Sequence, residues 1–273
     1  MSGILASKTP PEITFHCFFP NPTVIQRTHP ANHVHEDGGL QNAHDLITVS
    51  TDGRLCSWSV DNLQQPIESI QLMCKSKRQI TALSMSFFHS NINSFVIGSE
   101  EKALYVGDRH GNKGEMTRSI DAHDMPVTAV DLHHAPGSVD FSPLCLSGSL
   151  DFNVKLWHLK VDSSTNNLQP LLSFERKHKL YIVDIQWSPV HPAVFVSAST
   201  DGVLNLWNLN TNTEQPIATI TVSNSITKLL WSKNGQQLSV ADNNGRVFLY
   251  DVHESCIMCA QMSGTTLLTP YQS

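Results

Sequence analysis

The sequence predicts an all-β protein, a β-propeller with about five recognisable blades plus a partial one, and three observations carry that prediction. First, an acidic or amide residue stands six positions before an aromatic at Asp52–Trp58, Asp151–Trp157, Asp201–Trp207 and Asn244–Tyr250; Glu101 heads a weaker copy in which Gly107 replaces the aromatic. Second, these turn residues are spaced 49, 50, 50 and 43 positions apart, a period that marks a repeat architecture with one blade per unit. Third, no long stretch sustains a helical period, whereas short apolar, β-branched runs bounded by turn residues recur.

Each element of the unit has its own signal. Small residues, Ser147-Gly148-Ser149 and Ser197-Ala198-Ser199, close one strand. Asp52-Gly53, Asp201-Gly202 and Asn244-Gly245 then supply a tight hairpin turn, because these residues tolerate the positive φ that such turns demand. An alternating strand follows, as in Val154 and Leu156, Val203 to Leu206, and Val247 and Leu249. Upstream, residues 80–87, 126–132, 182–187 and 226–231 read as a preceding strand, and a fourth strand is expected before the next unit. A four-stranded blade cannot bury both faces alone, so blades stack around an axis, each packed between neighbours. The recurrent Trp is expected to be buried with its N–H on a partner.

Composition narrows the function classes. With 40% hydrophobic and 15% charged residues the chain of 273 residues is globular in type. Its net charge of −6 and the shortness of its densest basic cluster, Lys75 to Arg78, argue against a nucleic-acid binder. No apolar run is long enough for a membrane span, and the first fifteen residues lack the apolar core of a signal peptide. Six cysteines without framework spacing suit a reducing compartment.

Several clusters invite chemistry, and each has a plainer explanation. His29, His33, His35 and His44 are dense, but their spacing does not resemble a closed zinc site. His133 and His134, adjacent beside a strand, point to opposite faces. Cys256 and Cys259 form a lone Cys-x-x-Cys without the context of a redox or zinc motif. Gly107 to Gly114 holds glycines but no phosphate-loop pattern. Ser147, Ser149, Asp151 and His123 could suggest a hydrolase triad, but the repeat explains them as a structural hydrogen-bond chain and no nucleophile elbow is present. No catalytic residue, cofactor or metal is expected.

Trp157-His158, Trp207-Asn208 and Tyr250-Asp251 occupy the place of the Trp-Asp pair of WD repeats, and Ala122-His123 stands where that family has Gly-His. The resemblance implies a buried chain through His123, a strand Ser or Thr, Asp151 and Trp157; Asp201 and Trp207, with His178 as a looser match, and Asp52 and Trp58 keep only parts of it. More specific segments, QNAHDLITVSTDGRLCSWSVDNL at 41–63, NSFVIGSEE at 93–101, VDFSPLCLSGSLDFNVKLW at 139–157 and WSPVHPAVF from 187 followed by DGVLNLWNLN ending at 210, resemble, in order, the C-terminal propeller of cytoplasmic dynein intermediate chains.

That family has a seven-bladed ring, and five turn motifs are present here. Residues 1–40 are expected to form a divergent segment with a partial blade, 41–255 the propeller and 256–273 a C-terminal tail. The resemblance implies a non-catalytic scaffold in a cytoplasmic, microtubule-associated motor complex, with the dynein heavy-chain tail as partner. The family's dynactin and light-chain sites lie N-terminal to its propeller and are expected to be absent. The alternative is a generic WD adaptor binding peptides or proteins in another complex, such as a ubiquitin ligase or a chromatin assembly.

Overall fold

The computed structural model describes residues 5–8, 23–27, 45–59, 63–89, 91, 93–109, 114–134, 139–159, 168–222 and 224–252. They form five antiparallel four-stranded sheets and no helix. The first strand, β1 (Leu5–Lys8), stands apart from its sequence neighbours. The first blade is β2 (Thr23–Arg27), β3 (Asp45–Ser50), β4 (Arg54–Ser59) and β5 (Glu68–Gln71). The second is β6 (Ala82–Phe87), β7 (Ser94–Ser99), β8 (Ala103–Asp108) and β9 (Arg118–Asp121). The third is β10 (Val127–Leu132), β11 (Leu144–Ser149), β12 (Val154–His158) and β13 (Leu172–Phe174). The fourth is β14 (Ile182–Trp187), β15 (Val194–Ser199), β16 (Val203–Asn208) and β17 (Ala218–Thr221). The fifth joins β18 (Ile226–Trp231), β19 (Gln237–Asp242) and β20 (Val247–Val252) to β1, in the order β1-β20-β19-β18.

The middle strands are buried along nearly their whole length, as in β7, β11 and β15. Each is covered on both faces, so alternation gives way to continuous apolar or small residues. Four apolar clusters fill the four interfaces between successive blades. Ile47, Leu55, Ile80 and Met85 lie in the first, Val96, Leu104, Val127 and Trp157 in the second. Leu146, Phe174, Ile185 and Trp207 lie in the third, and Val196, Leu206, Leu229 and Tyr250 in the fourth. Stability is therefore built interface by interface, as expected of stacked repeats. Inner strands β6, β10, β14 and β18 each open with a register shift, a bulge at the same place in four blades.

Residues 1–40 put one strand into each of two blades. β2 pairs with β3 as the inner strand of the first blade, and β1 pairs with β20 from Leu5↔Val252 to Lys8↔Leu249. The pairing of β1 crosses the boundary expected at residue 40. The physical reason is that the outer edge of β20 offers unpaired N–H and C=O groups, and the first strand of the chain satisfies them. Inner strands of successive blades lie against one another from β2 to β18, but among the described residues no comparable contact joins β18 to β2. Among the described residues the ring is not closed.

Candidate functional site: the hairpin-turn face and the bonds beneath it

In the third blade the residues singled out by the repeat meet in one directed chain. The Trp157 indole N–H donates to Ser147 Oγ at 2.8 Å, and Ser147 Oγ lies 2.7 Å from His123 Nε2. His123 Nδ1 lies 2.8 Å from Asp151 Oδ2. A single neutral tautomer satisfies every link: the serine hydroxyl donates to Nε2, and Nδ1–H donates to the carboxylate. Burial pushes the His123 pKa down, partly offset by Asp151, which favours that neutral form. Burial works against the charge of Asp151 too, yet the His123 bond and the N–H groups of Asn153 and Asp124 hold its carboxyl below the usual range. Asp, His and Ser here copy the order of a hydrolase triad, but Ser147 is wholly buried and its oxygen already accepts the indole N–H. Its hydroxyl has no approach for a substrate.

The other blades keep parts of this chain. In the fourth, Trp207 donates to Ser197 Oγ at 3.0 Å and Ser197 lies 2.8 Å from His178 Nε2. There the chain stops. Asp201 accepts from the backbone of Lys179 and Val203, and buried His178 Nδ1 has no partner among the described residues. Burial lowers the His178 pKa to about 4, against a weaker pull from Asp201. In the first blade Trp58 donates to Thr48 Oγ1 at 3.0 Å, while Asp52 accepts from Ser50 and the Arg54 N–H. In the second, Glu101 accepts from the Thr81 N–H, and Met116 and Phe95 crowd Gly107 where an aromatic would stand. In the fifth, Tyr250 is buried, and Asp242, two residues before Asn244, accepts the turn N–H groups of Asn244 and Arg246 at 2.9 Å.

Sequence reasoning missed a second set of polar residues. An inner strand pairs on one side only, so its other edge needs partners. Ser86 accepts from the Leu132 N–H, Asp131 from Trp187, Asp184 from Leu229 and Gln186 from Trp231, each reaching from one blade to the next. Burial raises Asp131 to about 7, despite the Trp187 N–H, and raises Asp184 despite the Lys228 ammonium at 2.9 Å. The available signal was the recurrence of a polar residue at the fifth position of three inner strands: Ser86, Asp131 and Gln186. Leu230 holds that position in β18 and is 63% exposed.

His133 is buried between blades, with Nε2 on the Pro192 carbonyl at 2.9 Å and its ring 4.8 Å from that of Trp187. Among the described residues no group of three or more His, Cys, Asp or Glu could hold a metal ion. His29, His33, His35, His44, Cys256 and Cys259 lie outside the described residues. A cleft of about 300 Å³ beside the third blade is lined by Asp121, Lys155, Trp157 and Gln169 among others, and Lys155 closes one wall by donating to the Ala122 carbonyl at 2.7 Å.

The WD domain, G-beta repeat family matches residues 114–158 and 168–208. The chain carries WD repeats. Each matched stretch runs from the outer strand of one blade to the third strand of the next, so a sequence repeat of this WD-repeat chain spans two blades and locks them together. The chain is also similar to the cytoplasmic dynein 1 intermediate chain of Drosophila melanogaster, 39% identical over 242 residues, which cover 85% of this chain and 35% of that relative. The WD-repeat chain thus spans about a third of the relative's length.

Proposed function

We propose that the chain is a non-catalytic scaffold subunit of a cytoplasmic dynein motor complex, docking on the heavy-chain tail and supporting transport along microtubules. One observation carries the reading: the 39% identity to a cytoplasmic dynein 1 intermediate chain extends over 85% of the chain, far beyond the two stretches that match generic WD repeats. The geometry fits a scaffold. The conspicuous Asp, His and Ser are spent on internal bonds, and the rigid blades present their loops and turns outward as a broad contact surface. In this reading the nucleotide chemistry belongs to the heavy chain and the site of action is cytoplasmic and microtubule-associated. The test is a pull-down of purified heavy-chain tail by the tagged chain, with circular dichroism and a cooperative melt as proof of folding. Retention of the tail is expected; a folded sample that retains none overturns the reading.

A further inference from the structure

Every blade repeats one cross-strand pair between its second and third strands: Leu46↔Trp58, Phe95↔Gly107, Cys145↔Trp157, Phe195↔Trp207 and Leu238↔Tyr250. From the second blade to the fifth both members of the pair are buried. What buries them is the blade before. The next pair along the strands points to the opposite face, and it packs on the following blade. Val96 and Val106 share a cluster with Cys145 and Trp157, Leu146 and Leu156 with Phe195 and Trp207, and Val196 and Leu206 with Leu238 and Tyr250. Each interface thus has two halves, a covering pair on one blade and a covered pair on the next.

The two ends of the stack leave one half of each kind uncovered. In the first blade Leu46 and Trp58 are only half-buried, because no blade among the described residues precedes them. In the fifth blade the covering positions are Ser239↔Leu249 and, one row on, Ala241↔Val247, and none of the four is buried. Val247 is 41% exposed and Leu230, which faces Ser239 across the sheet, 63%. The ends of a repeat stack require a polar outer face to stay apart in water. Neither end has one. Instead the fifth blade presents a covering half and the first blade a covered half, and within one molecule the two do not meet, since β18 makes no comparable contact with β2.

We propose that the fifth blade of one copy of this chain docks on the first blade of a second copy, repeating between molecules the interface built four times within one. A second copy is the occupant because each free face has its complement, in the same strand register, on the other end of the same chain. Leu249 and Val247 lie over Trp58 and Leu46 as Leu206 and Leu204 lie over Tyr250 and Leu238. Leu230 adds apolar area where Ser86, Asp131 and Gln186 accept a hydrogen bond inside the stack, so this joint is held by burial. The contact is heterologous, with different surfaces on the two partners, and it leaves one free face of each kind to close a ring or extend a series. The proposal rests on the register of the blades and is independent of any motor complex.

The test is sedimentation velocity on the purified chain from about 1 to about 200 μM, with two blocked variants, L230K/V247K on the fifth blade and L46E on the first. The wild type is expected to grow in mass with concentration. Each variant alone, shown to be folded by circular dichroism and a cooperative melt, is expected to stay monomeric. Mixed, they are expected to form a one-to-one dimer, because each keeps the face that the other has lost. A second readout needs no substitution in the first blade. The other four tryptophans, Trp157, Trp187, Trp207 and Trp231, are buried, so fluorescence open to acrylamide comes chiefly from Trp58 and should be protected as the wild type associates, but not in L230K/V247K. That readout decides the matter if L46E does not fold. A wild type that stays monomeric across the series overturns the proposal. So does a folded variant that still self-associates, which indicates a contact between like faces or elsewhere, a pair of folded variants that does not recombine, or association that leaves Trp58 open to the quencher.

Discussion

Replacing His178 by Gln should change how stability depends on pH, and the structure supplies the magnitude. His178 is buried, its Nε2 is held by Ser197, and its folded pKa is lowered to about 4 from 6.5. A base with a depressed folded pKa is protonated first in the unfolded chain. Its contribution is therefore full above pH 6.5 and is lost as pH falls toward 4, amounting to about 3 kcal/mol across that window. Asp131 acts in the opposite sense. Its folded pKa is raised to about 7 from 3.8, so the folded state holds the proton longer and stability is lost as pH rises from 3.8 to 7. Between pH 4 and 6.5 the two slopes oppose each other. His178→Gln removes one of them and becomes more stable relative to wild type as pH falls. Asp131→Asn, which keeps an acceptor for the Trp187 N–H, becomes less stable relative to wild type over the same range. Urea denaturation midpoints at half-unit steps from pH 8 to 4 measure both differences, and common contributions such as that of His123 cancel. A wild type-to-His178→Gln difference that stays constant across the range would refute the burial of a neutral, half-bonded imidazole in the fourth blade.

Other expectations concern single contacts. Trp157→Ala should cost about 3–5 kcal/mol, since it opens a cavity at a wholly buried site and removes the donor to Ser147; a thermal melt checks it. Phe152→Gly should stabilise by about 1 kcal/mol through relief of the left-handed backbone, read as a rise in urea midpoint, even though it removes an aromatic contact. Gln186→Leu should cost about 1–3 kcal/mol, because it strands the Trp231 N–H and the Leu229 carbonyl, whereas the mirror change Leu230→Gln should stay within about 0.5 kcal/mol. Chemical denaturation of the two variants decides whether the fifth position of the inner strands is the bridge between blades.

The hairpins were legible in the sequence because they combine signals that reinforce one another: Asp-Gly or Asn-Gly turns, small residues before them and alternating residues after them. Asp201-Gly202 therefore announced β15 and β16 with no knowledge of their surroundings. The pairing of β1 with β20 was not legible, since it joins residues at opposite ends of the chain and depends on an open edge that exists only once β20 has formed. The interblade bonds were hidden for another reason. Ser86, Asp131 and Gln186 do one job with three different side chains, so a search for repeated residues passes over them. The hydrogen-bond chain was legible in its members but not in its breaks. Asp201 and His178 sit at the expected positions, yet the carboxylate takes the Lys179 N–H instead of the imidazole.

The departures of this chain from its own repeat separate into two kinds. Gly107 lacks the aromatic, but Met116 and Phe95 occupy the space. Asn244 lacks the carboxylate, but Asp242 supplies one to the same turn. His178 loses its Asp but keeps Ser197 and gains Asn205, whose amide also holds the Lys177 carbonyl. Each of these is repaired by a neighbouring residue, as expected where a sequence is selected for a packed blade. Phe152 is not repaired. Its backbone is strained, its ring is 37% exposed and packs on a Tyr181 that is itself exposed, and the glycine that would relieve the strain is already used in three sister turns. Local rules that fail without structural compensation are expected at functional positions. By that criterion Phe152 sets the hairpin SGSLDFNVKLW apart from the three sister turns that place glycine.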